Sequence, residues 1–126
     1  MNTIVLKFGG SSLRSIARIQ HVARYMASLS FDRAIVVVSA MGDTTDYLLR
    51  QAKKCALNPD RRELDQLLST GEQTSISLLA ITLRSMGVAA RSSTGRQIGI
   101  ATDSSHTDAR IIDNTKFLVP PDRQKH

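Results

Sequence analysis

The chain has 126 residues, which is enough for one domain with a buried core. Its 41% hydrophobic and 22% charged residues are ordinary for a soluble globular protein, and no apolar run approaches the ~20 residues needed to cross a bilayer. The net charge of +6 raises the question of nucleic-acid binding, but the basic residues are scattered and aromatic residues make up only 4%, so we expect neither a nucleic-acid nor a membrane partner.

The first predicted element is a strand over Thr3 to Phe8, because Ile4-Val5-Leu6 is a continuous apolar run. Two glycines and two serines follow, and either serine could cap a helix. Apolar residues spaced three and four apart predict that this helix runs from Leu13 to about Leu29. A second strand, Ala34 to Val38, is apolar throughout, which is typical of a parallel sheet covered by helices on both faces.

The next helix is predicted after a polar loop, Ser39 to Asp46, and should end near Asn58-Pro59. Cys55 lies on the apolar stripe of this helix, so we expect its side chain to be packed inside the protein. It is the sole cysteine, which excludes an internal disulfide and is consistent with a reducing cytoplasm. The first residues show no signal-peptide pattern, so a cytoplasmic location is expected.

Two further helices are predicted, a short one over Arg61 to Leu68 and a longer one that begins after Ser69-Thr70-Gly71 and stops at Gly87. The apolar face of the longer helix is formed by Ile76, Leu79, Ala80, Leu83 and Met86. Val88-Ala89-Ala90 and Ile111-Ile112 indicate two more short strands. This order predicts an α/β domain over residues 1–112, with a mainly parallel sheet sandwiched by helices, and an irregular or disordered tail over residues 113–126.

Ligands of parallel α/β sheets gather at the carboxyl ends of the strands, where this chain has polar segments. The first segment, Lys7 to Ser12, combines a cation, two glycines that let the backbone approach a ligand closely and adopt positive φ, and the start of a helix, so it predicts a phosphate site. It is not a Walker A loop, because the lysine precedes the glycines. The alternative is a surface lysine beside a tight turn.

Two more segments have a functional and a structural interpretation. Ser39 to Asp46 could hold a phosphate or a carboxylate, or Asp43 or Thr44 could simply cap a helix. The third segment is Leu67 to Thr74. Its Ser69-x-x-Glu72 pattern fits a capping box, which would make Glu72 structural. Alternatively, Gly71 allows a ligand to approach closely, and the neighbouring Glu72 carboxylate could bind a substrate ammonium group. His106 has no partner at metal-ligand spacing and is interpreted as a surface histidine.

Taken together, these segments resemble the aspartate kinases of the amino-acid kinase family. The stretches that carry the resemblance are Lys7 to Ser12, Val37 to Asp46, Leu67 to Gln73, and Thr94 to Asp103 with its continuation His106 to Ile111. The four motifs occur in the family's order over residues 1 to about 112. Arg96 and Ile98 depart from the family pattern, where an aromatic or small residue and an alanine are more common.

The resemblance implies ATP-dependent phosphorylation of the side-chain carboxylate of L-aspartate, with Mg²⁺ accompanying the ATP. By that analogy Lys7 would be the catalytic cation, and the nucleotide phosphates would be held by Lys7, Gly9, Gly10, Ser11 and Ser39. Thr45 and Glu72 would bind aspartate, and no protein residue is implied as a metal ligand. The family's adenine- and ribose-binding parts have no counterpart after Ile112, so the resemblance covers the N-terminal portion and the isolated chain is expected to be inactive.

The same resemblance leaves a second hypothesis open. The chain could be a truncated paralogue without catalysis, a binding or assembly module that associates with a complete kinase through the helix at 11–29 or at 72–86. Partners would then be other kinase chains or further copies of this one.

Overall fold

The computed structural model describes residues 2–115 of the chain. In chain order its elements are β1 (Thr3–Phe8), a 3-10 turn (Gly10–Leu13), α1 (Ile16–Ser28), β2 (Arg33–Val38), α2 (Thr44–Cys55), α3 (Arg61–Ser85), β3 (Ala101–Thr102) and β4 (Ile111–Asp113). Strand β4 extends to Asp113, one residue beyond the predicted domain end. The predicted tail lies outside the described residues from position 116 onward.

Strands β1 and β2 pair in parallel, with Thr3 opposite Arg33 and Phe8 opposite Val38. Because side chains alternate between the faces of a strand, Leu6 and Phe8 share one face with the β2 residues paired to them. That face packs on the hydrophobic core. Strands β3 and β4 form a separate, antiparallel pair. The parallel β1–β2 pair with α1 in its crossover confirms the predicted α/β class.

The core is formed mainly by α1 and α3, which contact each other over the sheet. Its buried members are Leu13, Ile19, Val22, Ala23, Met26, Leu79 and Leu83. The helix predicted from Leu13 begins later than expected: Leu13 closes the 3-10 turn, and α1 starts after Ser15, whose hydroxyl accepts a hydrogen bond from the Arg18 amide. Such an N-cap satisfies one of the otherwise unpaired amides at a helix start.

The second face of the β1–β2 sheet is open within residues 2–115. Val5 is 68% exposed and Val37 is 50% exposed, and no described helix buries them. Lys7 shares this face, because it lies two residues after Val5 and pairs with Val37. The expected cover by helices is therefore present on one face of the described part of the sheet.

The predicted break between two helices at Ser69-Thr70-Gly71 is wrong, because Arg61–Ser85 is one continuous helix. At ~1.5 Å per residue its 25 residues span about 37 Å. Ser69 and Thr70 do not interrupt it, since their hydroxyls donate to the carbonyl oxygens of residues three positions earlier. The capping box is wrong for the same reason: the N-cap is Asp60, whose carboxylate accepts from the Glu63 amide.

Two smaller expectations also differ from the structure. Val88 to Ala90 is not a strand; Val88 and Ala90 pack against the core, and the Ala90 carbonyl accepts a hydrogen bond from the Arg84 guanidinium at 3.1 Å. Cys55 is exposed rather than packed inside, because α2 contacts α3 without burying any of its residues fully. No helix within residues 2–115 combines the length and apolar character that a membrane span requires.

Candidate functional site

The loops that follow β1 and β2 are tied together by backbone hydrogen bonds. The Phe8 carbonyl accepts from the Ser39 amide at 3.1 Å, which extends the β1–β2 ladder by one bond. The Gly10 carbonyl accepts from the Gly42 amide at 2.9 Å. The first two sequence-predicted segments therefore form one joined edge at the carboxyl ends of the parallel strands.

Gly9 and Gly10 have different surroundings. A Cβ atom on Gly10 would lie 3.0 Å from the carbonyl oxygens of both Ala40 and Gly42, so the close approach of the two loops requires a glycine there. Among residues 2–115 a Cβ on Gly9 would meet nothing within 4 Å, so within this part of the chain the backbone faces free space that a ligand could enter. The expected positive φ is wrong for this pair; it occurs instead at Gly42, with φ of 52°.

The anion-binding features of the first segment are retained in part. Lys7 and Ser11 are exposed. The amides of Gly10 and Ser11 lie at the start of the 3-10 turn, where backbone N–H groups lack partners inside the turn. The helix expected to begin directly after the glycines is, at that position, only this four-residue 3-10 turn, and α1 begins later, at Ile16.

The third segment reaches the same edge because α3 crosses the second loop at Gly71. A Cβ on Gly71 would lie 3.0 Å from the Ala40 Cβ and 3.3 Å from the Thr44 Cγ2, so the crossing is close. Glu72 follows this contact and is half-buried, and Thr45 is exposed in the first turn of α2. The structure thus brings together all three segments, although the third lies on a helix rather than on a loop.

Helix capping does not account for the polar residues of the second loop. Asp43 occupies the N-cap position of α2, but its side chain makes no capping hydrogen bond. The Thr44 hydroxyl donates to the Met41 carbonyl, inside the loop. Ser39 is half-buried, and its carbonyl accepts a hydrogen bond from Ser75, a residue that the sequence analysis did not single out.

Asp65 is a second residue that the sequence analysis missed. Its carboxylate accepts from the Thr107 amide at 2.9 Å and lies 3.2 Å from the His106 Nδ1, so it attaches the 103–110 loop to α3. Thr107 has a φ of 69°, which is uncommon for a residue with a branched side chain. His106 lies at the surface, as predicted, with 41% of its side chain exposed, and its ring contacts Asp65. No spacing rule links residues 65 and 107, so only the fold could reveal this contact.

The fourth segment consists of two hydrogen-bonded turns. Thr94 and Gln97 bond reciprocally, each side chain to the other's amide, at 3.2 and 2.8 Å. Asp103 accepts from the amides of Ser105, at 3.0 Å, and Arg110, at 3.2 Å. These bonds favour the ionised carboxylate and hold the pKa of Asp103 below its usual value.

This pKa shift predicts that acid loosens the 103–110 turn. The folded-state pKa of Asp103 is the lower one, so its stabilising contribution is complete above the unfolded pKa of ~3.9 and is lost as the pH falls through the folded value. An NMR titration should show the Ser105 and Arg110 amide resonances moving with a midpoint below ~3.9. Asp103→Asn should abolish that transition, and a wild-type midpoint at or above the peptide value would contradict the assignment.

A sequence model of the amino acid kinase family matches residues 2–119. The chain belongs to the amino acid kinase family. The resemblance inferred from the four motifs is thereby confirmed at family level.

Relatives within the amino acid kinase family include several aspartokinases. The chain is 52% identical over 121 residues to the aspartokinase of Geobacillus stearothermophilus, covering 93% of this chain and 30% of that protein. It is 48% identical over 115 residues to aspartokinase 2 of Bacillus subtilis, covering 90% and 28%. An aspartate kinase structure from Synechocystis superposes with a TM-score of 0.71 at 49% identity, over 78% of this chain and 17% of that one. The chain therefore spans about 30% of the length of these curated relatives.

Proposed function

We propose that this chain is the phosphate- and aspartate-binding portion of an aspartate kinase, which transfers the γ-phosphoryl group of ATP to the side-chain carboxylate of L-aspartate. The product, 4-phospho-L-aspartate, begins the pathway to lysine, threonine and methionine, and we place the reaction in the cytoplasm. The observation that carries the proposal is the meeting of three motif segments at one sheet edge, through the Gly10–Gly42 hydrogen bond and the Gly71 contact. The aspartokinase relatives, among them one that is 52% identical, support the same assignment.

The first segment supplies the phosphate contacts in this proposal. Lys7 neutralises charge on the transferring phosphoryl group, and Gly9 allows the phosphate to approach the backbone because no described residue occupies the space beside it. The amides of Gly10 and Ser11 donate to phosphate oxygens, and Ser39 lies near the nucleotide phosphates. Gly10 thus binds phosphate through its backbone amide. Its lack of a side chain has a separate purpose, because it allows the two loops to approach each other closely.

The second and third segments supply the aspartate contacts. The Glu72 carboxylate binds the substrate ammonium group, and the Thr45 hydroxyl donates to a substrate carboxylate. The substrate's own carboxylate is the nucleophile, so the reaction needs positioning and charge neutralisation rather than a general base. This requirement fits a site of one lysine, backbone amides and polar side chains.

ATP and Mg²⁺ fit this arrangement in different ways. The exposed Lys7 and the free space beside Gly9 suit a polyphosphate. Within residues 2–115 no three or more His, Cys, Asp or Glu side chains form a cluster that could hold a metal ion. Mg²⁺ in kinase sites commonly keeps several waters and is bound through substrate phosphates and one or two carboxylates, so here it would accompany the ATP and shield the phosphate charge.

The test of the proposed function is ATP-dependent formation of aspartyl hydroxamate. The chain spans about 30% of its relatives, so we expect no turnover by the chain alone. Mixing it with the complementary part of the Geobacillus stearothermophilus aspartokinase should restore hydroxamate formation. Turnover by the isolated chain would refute its predicted inactivity, and failure of every complemented mixture would count against the kinase assignment.

The role of Lys7 gives a separate prediction. Lys7→Met should weaken ATP binding by about tenfold or more, because a charge-assisted contact to phosphate is lost. Lys7→Arg should also weaken it, because a planar guanidinium does not replace a compact ammonium group. Calorimetry on the 126-residue chain would measure both, with the exposed Lys53→Met as matched control. Unchanged ATP affinity in both Lys7→Arg and Lys7→Met would show that Lys7 does not bind the ATP phosphates.

One observation favours a second candidate function, association with complete kinase chains. The apolar residues Val5 and Val37 are exposed on the open sheet face, and parallel sheets are ordinarily buried on both faces. A non-catalytic assembly module would bind a full-length kinase, or a second copy of itself, through such a surface. Co-purification with a full-length kinase, without complementation of catalysis, would distinguish this function from the first.

A further inference from the structure

Ser75 is the fully buried polar residue of α3, with 0% of its surface exposed. It lies one helical turn after Glu72, in the line of buried residues Gly71, Ser75, Leu79 and Leu83 that recur every four positions. A hydroxyl in an apolar line is costly unless it is hydrogen-bonded. The hydrogen-bond partners of the Ser75 hydroxyl therefore indicate the role of this residue.

The Ser75 hydroxyl donates to the Ser39 carbonyl at 2.7 Å, and the Glu72 carbonyl lies 3.0 Å from the same oxygen. A hydroxyl has one proton, so the shorter contact to Ser39 is the main bond. This bond joins residues 36 positions apart in the sequence. It connects the loop after β2 directly to the helical turn that begins at Glu72.

A second contact lies on the other side of Glu72. Gly71 packs so closely on Ala40 and Thr44 that its Cβ would lie within 3.3 Å of both side chains. Glu72 is thus placed between two points, Gly71 and Ser75, at which α3 is held against the 39–44 loop. The Gly71 contact limits how near the helix can come, and the Ser75 bond prevents it from moving away.

We propose that Ser75 is a positioning residue that fixes the 39–44 loop relative to Glu72. The inference rests on the proposed function for its purpose, because this geometry sets the separation between the groups that would bind the phosphate and the aspartate. It does not require Ser75 to touch either ligand. Loss of the hydroxyl should release the loop while leaving α3 intact, since alanine favours a helix at least as well as serine.

The test compares three variants of the 126-residue chain by amide hydrogen exchange and NMR. Ser75→Ala should speed exchange of the 39–44 loop amides about tenfold or more and shift the Ser39 carbonyl carbon resonance, because the partly buried carbonyl loses its donor. Ser75→Thr keeps the hydroxyl and should restore slow loop exchange even where the added methyl lowers overall stability. Ser77→Ala, on the exposed side of the same helix, is the matched control.

Two outcomes would overturn the proposal: unchanged loop exchange in Ser75→Ala, or equally fast loop exchange in Ser75→Thr. A parallel L-aspartate titration separates this result from the proposed function. Aspartate affinity should fall about tenfold in Ser75→Ala and remain unchanged in Ser77→Ala. If the wild-type chain, with and without the complementary kinase part, binds no aspartate, the substrate assignment fails, whereas the exchange data still decide whether Ser75 holds the loop.

Discussion

Replacing Leu13 with alanine should lower the free energy of unfolding by about 2–5 kcal/mol, the range for leucine truncation in a packed core. Leu13 closes the 3-10 turn and is 0% exposed, within the cluster formed by α1 and α3. The substitution removes apolar area and leaves a cavity directly beneath the segment that carries Gly9 to Ser12. Urea denaturation followed by circular dichroism would measure the loss.

Ile16→Ala is the matched control for Leu13→Ala. Ile16 lies three residues later and is 52% exposed, so its truncation should cost less than about 1 kcal/mol. Equal losses for the two variants would show that Leu13 does not anchor the turn in the core.

Gly10→Ala should lower the free energy of unfolding by about 1–3 kcal/mol, because overpacking forces the surroundings to shift. The added Cβ would lie 3.0 Å from two carbonyl oxygens, those of Ala40 and Gly42. Both are backbone atoms, which cannot rotate away as the end of a flexible side chain can. The Gly10–Gly42 hydrogen bond should weaken with the displacement, so the Gly42 amide should exchange faster.

Gly9→Ala is the matched control, and it also separates stability from binding. Its φ of −78° suits alanine, and the new Cβ would meet no atom of the described part of the chain within 4 Å, so stability should change by less than about 0.5 kcal/mol. If phosphate approaches the backbone at Gly9, ATP affinity should nevertheless fall. Equal destabilisation by Gly9→Ala and Gly10→Ala would contradict the different surroundings described for the two glycines.

Strands β1 and β2 could be predicted from the sequence because their apolar, largely β-branched runs are short and bounded by polar residues. The convergence of the segments at 7–12 and 39–46 followed from the rule that parallel strands end at one edge. The start of α1 was predicted less accurately than the two strands. Ser11 and Ser12 were the expected caps, whereas in the structure Leu13 closes a 3-10 turn and Ser15 caps α1.

The continuity of α3 could not be predicted, because local signals favoured a break at Ser69-Thr70-Gly71. Glycine costs about 1 kcal/mol in a helix interior relative to alanine, and serine and threonine favour caps. Tertiary contacts outweigh that preference, since Gly71 is the residue that lets α3 approach Ala40 and Thr44. Leu79 and Leu83 are four residues apart. The same spacing continued toward the N-terminus reaches Ser75 and Gly71, so the sequence did contain a signal for this line of buried residues.

The exposed position of Cys55 has a practical consequence for studying the site. It is the sole thiol in the sequence, so a maleimide dye would attach at one defined position without further mutagenesis. Cys55 lies ten residues after Thr45 on the same helix, which places the dye about 15 Å along the axis from the proposed aspartate contact. With a fluorescent nucleotide as the second fluorophore, nucleotide binding could then be measured as energy transfer between the nucleotide and the label.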